Sequence, residues 1–62
     1  MTPAQFKQHR QTLGLTQSSL ATALGMSKRM LQRLEAGTHP IIERTENAIT
    51  ALVKLHRLEN GE

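Results

Sequence analysis

The chain has 62 residues, no cysteine and a formal net charge of +3. Folding at that length hides only about 60% of the unfolded surface, which restricts the chain to one small domain. The lack of cysteine excludes a disulfide framework or a thiolate metal site, fits a reducing cytoplasm, and leaves a partner subunit as the remaining source of extra stability. The elements, in chain order, are all helical.

Thr2-Pro3-Ala4-Gln5 reads as a helix start. Thr2 can cap the free N–H groups, Pro3 suits the first helical position, and Gln5 sits where a capping box needs it. The first helix should run to about Leu13 and stop at Gly14. At about 100° per residue, Phe6, Arg10 and Leu13 share one face. An arginine on an apolar face needs a partner, because an unpaired buried charge is costly. Glu35 is the only acid in the first 42 residues, so an Arg10–Glu35 ion pair is expected. The alternatives are a guanidinium that snorkels to solvent or one that reaches a phosphate.

Thr16 should cap a second helix that opens on Gln17, with Leu20, Ala21 and Leu24 inward and Ser18, Ser19, Thr22 and Ala23 outward. Gly25-Met26-Ser27 is a tight turn, and Ser27 caps a third helix ended by Gly37. On that helix Lys28, Arg29, Gln32, Arg33 and Ala36 form one arc, and Met30, Leu31 and Leu34 the opposite one. Two short helices across a glycine-containing turn, the second basic on its outer face, have the geometry of helix-turn-helix DNA recognition over residues 17–36. A merely solvated amphipathic helix would give the same wheel; its place as second of a correctly spaced pair favours recognition.

Pro40 holds Thr38-His39-Pro40 as an extended connector, after which Ile41 and Ile42 are expected to enter the core. A last helix is expected from about Glu43 to Leu58, with Glu43 and Glu46 in its first turn and Lys54 and Arg57 near its end, as the helix dipole prefers. Its apolar positions, Ala48, Ile49, Ala51, Leu52, Val53, Leu55 and Leu58, cover roughly 220° of the wheel, against a stripe of at least about 100° for a helix on one core. The width suggests a second packing partner, the same helix of another subunit, through Ile49, Leu52, Val53, Leu55, His56 and Leu58. The duller alternative is that the excess is simply exposed. Repeats, low-complexity tracts and strand-like alternation are absent from the sequence. The expected fold is all-α, four helices in one domain spanning 1–62, with a C-terminal dimerisation helix over about 43–58.

The charge is divided unevenly. Lys7, Arg10, Lys28, Arg29 and Arg33 occupy residues 1–34 without a single acid, whereas residues 35–62 hold five acids and three cations. One face therefore suits a polyanion. His9, His39 and His56 are too widely spaced for a metal motif, and neither a metal nor a cofactor is expected. No paired carboxylates, nucleophile–base set or phosphate-cradling glycine loop suggests an enzyme. No apolar run approaches the roughly 18 residues of a membrane span, and no signal peptide is expected ahead of the first helix.

Thr16-Gln17, Leu20-Ala21, Leu24-Gly25-Met26-Ser27, Leu31, Leu34-Glu35 and Gly37 together resemble the phage-repressor/Cro-type (xenobiotic-response-element type) helix-turn-helix family, from about residue 4 to about residue 56. The resemblance implies base contacts from Ser27, Lys28, Arg29, Gln32 and Arg33, and a phosphate contact from Gln17. An arginine in the first helix paired with the acid ending the third is known in some members. Many members carry two further helices after the recognition helix; this chain has one. In that it resembles short stand-alone regulators of phages and mobile elements, such as anti-CRISPR-associated autorepressors. Further phosphate contacts are expected from Ser18 at the start of the second helix and from Gly37 and Thr38. The expectation is a cytoplasmic, sequence-specific transcriptional regulator: a homodimeric repressor, in some settings an autorepressor, reading an inverted-repeat operator of double-stranded DNA through the major groove. No small-molecule ligand is expected. The alternative is a protein-interaction module or antitoxin-like partner built on the same fold.

Overall fold

A computed structural model describes residues 1–61 and contains four helices: α1 (Pro3–Leu13), α2 (Gln17–Leu24), α3 (Lys28–Ala36) and α4 (Glu43–Glu59). Each of the first three starts on a hydroxyl cap. Thr2 accepts from the Gln5 N–H while the Gln5 side chain accepts from the Thr2 N–H, closing the capping box. Thr16 and Ser27 accept from the N–H groups of Ser19 and Met30. Such caps satisfy donors that a helix start otherwise leaves open, at about 1 kcal/mol each.

The turn between α2 and α3 depends on Gly25, whose φ of 71° lies in the left-handed region that side chains with a Cβ avoid. From there Gly25 N donates to Thr22 O at 3.1 Å and Met26 N to Ala21 O at 2.9 Å, closing α2 and turning the chain sharply into α3.

Phe6, Leu20, Ala21, Leu31, Leu34, Ile49 and Val53 are buried, so all four helices contribute to one core. Leu13, Leu15, Leu24, Met26, Ile41 and Leu52 close its margins. Phe6 is the only Phe, Tyr or Trp of the chain and is fully buried. Ala21 stands between α2 and α3 at 2% exposure; its small side chain lets the two backbones approach. α1 lies against α3 and α4, and α2 against α3 and α4. α4 therefore packs chiefly on α1, and α1 in turn carries α3.

Several apolar positions differ from the sequence expectation. Ile49 and Val53 are not free for a subunit seam: at 0% and 5% exposure they are enclosed by their own chain, and Leu52 packs against the same core. His56, assigned to the same seam, is half-buried, with its ring Nδ1 3.3 Å from the Asn60 amide. The apolar arc of α4 is divided, one side serving the core and the other carrying exposed Leu55 and Leu58. Ile42 does not enter the core. It occupies the N-cap of α4, a position that projects outward, and is 54% exposed. Met30 lies at the rim of the buried arc of α3 and is only half-buried.

Candidate nucleic-acid interface

The outer surface of α3 follows from its inner one. With Leu31 and Leu34 buried, the helical period turns Lys28, Arg29, Gln32, Arg33 and Ala36 to solvent, with the Ser27 cap beside them. Among the described residues none of the three cations on this face is in an ion pair. The face thus keeps its positive charge, and its side chains offer donors suited to base edges and phosphates.

Behind this face runs a chain of polar contacts. Arg10 of α1 donates from Nε to Glu35 Oε2 at 2.6 Å and from Nη2 to Glu35 Oε1 at 3.2 Å. Its Nη1 donates to the Leu15 carbonyl at 3.1 Å, so one guanidinium joins α1, the α1–α2 connector and the end of α3. The two side chains are only 15% and 7% exposed. A planar, two-pronged pair of this kind fixes orientation as well as distance.

The chain continues outward. Gln17 Nε2 donates to Glu35 Oε1 at 3.2 Å, and Gln17 Oε1 accepts from Gln32 Nε2 at 3.3 Å. A carboxylate can only accept, so Glu35 turns the amide nitrogen of Gln17 inward and its oxygen toward Gln32. Gln32 in turn must present its nitrogen to Gln17. That leaves Gln32 with one free N–H and its carbonyl oxygen on the outer face. The sequence reading missed this link, having given Gln17 a phosphate contact alone. A usable signal was present: Gln32 and Glu35 are three residues apart on α3 and share a face that the first turn of α2 can reach.

At the start of α2, no acceptor among the described residues meets the N–H groups of Gln17 and Ser18, and they stand at the positive end of the helix. The other end of α3 is occupied differently. The N–H groups of Gly37 and Thr38 both donate to the Arg33 carbonyl, as does the Thr38 hydroxyl at 3.4 Å. Gly37 and Thr38 are exposed, but their donors cap α3, whereas the donors at the start of α2 are open.

A family profile described as a helix-turn-helix domain matches residues 4–62. The chain belongs to the helix-turn-helix family. No curated protein and no solved structure matches it. The helix-turn-helix domain is a DNA-binding regulatory unit of a typically non-enzymatic family, and α2 and α3 are its two defining helices. Among the described residues of this helix-turn-helix chain, no helix is long and apolar enough to cross a membrane. No cluster of three His, Asp or Glu could hold a metal ion there. A separate open groove of about 400 Å³ lies between α1 and α4, lined by His9, Thr50, Val53, Lys54, Arg57 and Leu58, with no residue of the recognition helix in its wall.

Proposed function

We propose that the chain is a transcriptional repressor that acts as a homodimer on an inverted-repeat operator, with α3 in the major groove. The observation that carries this reading is the outer face of α3, where Lys28, Arg29 and Arg33 are exposed and without an ion-pair partner among the described residues. Arg29 and Arg33 match the O6 and N7 acceptors of guanine. The free N–H and carbonyl of Gln32 are the pair that adenine N7 and N6 require. Ser27 and Lys28 reach the bases or phosphates flanking these. Gln17, Ser18 and the N–H groups opening α2 hold the phosphate backbone on one side of the groove, and the segment at Gly37 and Thr38 lies on the other.

In a two-fold dimer the recognition helices stand about 34 Å apart, one helical turn of DNA. The resemblance to short regulators of phages and mobile elements supports repression, including autorepression, in the cytoplasm. A protein-docking module or antitoxin-like partner on the same fold would suit an uncharged outer face on α3; the three cations speak against it.

Selection of bound duplexes from a random pool, followed by titration of the winner at rising salt, tests the reading. An inverted repeat with guanines in each half-site is expected, and affinity should fall steeply with salt as phosphate-bound counterions are released. Binding without enrichment of any sequence, or affinity indifferent to salt, would refute it.

A further inference from the structure

The exposed side of α4 carries a seam that the core does not use. Arg44, Ala48, Ala51, Leu55 and Leu58 recur at alternating steps of four and three residues and are all exposed, Leu55 at 52% and Leu58 at 65%. That alternation is the repeat of a helix meeting another helix along its length. We propose that the occupant is α4 of a second copy, running antiparallel, with Leu55 opposite Ala51 of the partner and Leu58 opposite Ala48. The inference rests on the homodimer of the proposed function and supplies its seam and register.

Two observations choose the direction. The first is size. Both small residues lie in the N-terminal part of the seam and both leucines in the C-terminal part. Antiparallel pairing sets each leucine against an alanine and fills every layer. Parallel pairing stacks leucine on leucine and leaves a gap between facing alanines, and such gaps forfeit packing. The second is charge. Arg44 stands at one end of the seam and exposed Glu59 beside the other, and neither has an ion-pair partner among the described residues. An antiparallel partner in this register brings Arg44 within three positions, under one helical turn, of Glu59. A parallel one sets Arg44 against Arg44 and Glu59 against Glu59.

The seam spans a single 17-residue helix. Specific complexes bury roughly 800 Å² per partner through about 20–30 residues a side, many more than the five positions of this seam. The free dimer is therefore weak, and two half-sites on one duplex complete it by holding both copies together.

The absence of cysteine makes the register directly readable. Single variants A51C and L55C, both at exposed positions, are oxidised separately and as an equal mixture, without DNA, with K7C on α1 as the collisional baseline. The mixture should give a disulfide-linked dimer several-fold faster than either variant alone, and A48C mixed with L58C should behave alike. Adding R44E to the A51C and L55C pair should slow the cross-link, and R44E with E59R should restore it. Self-cross-linking of L55C as fast as the mixture, or a mixture no faster than K7C, would overturn the antiparallel seam. Far-ultraviolet circular dichroism on each variant verifies the fold. With no DNA in the reaction, such a failure is separate from failure of the operator reading, which the salt titration decides.

Discussion

Replacing Arg10 by Met strands the Glu35 carboxylate at 7% exposure, with Gln17 Nε2 as its remaining side-chain donor, and frees the Leu15 carbonyl from its guanidinium donor. Breaking a buried pair by removing one partner costs about 3–5 kcal/mol. The whole stability of a 62-residue domain is about 3–9 kcal/mol at ordinary values per residue. One substitution therefore removes a large share of it, and Tm should fall by at least about 12 °C in a domain this small. Glu35→Leu should cost a similar amount by stranding the guanidinium. The double variant Arg10→Met/Glu35→Leu should recover most of the loss, because an apolar pair carries no desolvation penalty. Thermal and urea unfolding followed by circular dichroism measures all three. Single-variant costs under about 1 kcal/mol, the worth of an exposed pair, would refute the reasoning. So would a double variant no more stable than the singles.

Arg29→Ala should lose about 1–3 kcal/mol at one guanine of the half-site and relax preference there, measured by competition between operator variants; unchanged preference would reassign Arg29 to the backbone. Gln17→Met should weaken binding and also blur discrimination at the base pair read by Gln32, since the Gln32 amide loses its acceptor; a uniform loss across all operator variants would limit Gln17 to phosphate. Ile42→Ser should stabilise the fold by about 0.5–2 kcal/mol, because Ile42 is the N-cap of α4, makes no side-chain cap and is 54% exposed. A melting temperature that stays level or falls would argue that the Ile42 side chain contributes packing that its exposure conceals.

The helices and their ends were legible because their signals are local. Thr2, Thr16 and Ser27 begin helices and Gly14, Gly25 and Gly37 end them, each by a contact within a few residues. Arg10 and Glu35 could be matched across 25 positions because the first 42 residues hold no other acid. What sequence could not supply was orientation in space. A helical wheel gives the width of the α4 apolar arc but no origin, so it places Ile49 and Val53 on a subunit seam although α1 and α2 cover that side. Ile42 was read by hydropathy, while its placement follows from the outward direction of an N-cap. The spacing of Gln32 and Glu35 marks a shared face on α3, but that Gln17 meets it depends on the crossing of α2 over α3. Base and phosphate contacts involve a molecule outside the chain, and they stand as proposals.

The contacts running from Arg10 to Gln32 divide the outer residues of α3 into two kinds. Among the described residues the side chains of Lys28, Arg29 and Arg33 have no ion-pair partner, so an altered operator can be followed by exchanging them at little cost to folding. Gln32 is joined through Gln17 to the same carboxylate that holds α1 to α3. A change there disturbs a contact used by the framework, and a change in the framework disturbs what Gln32 presents. Across related regulators, new specificity should therefore accumulate first at the untethered positions, with Gln17, Gln32 and Glu35 changing together or not at all.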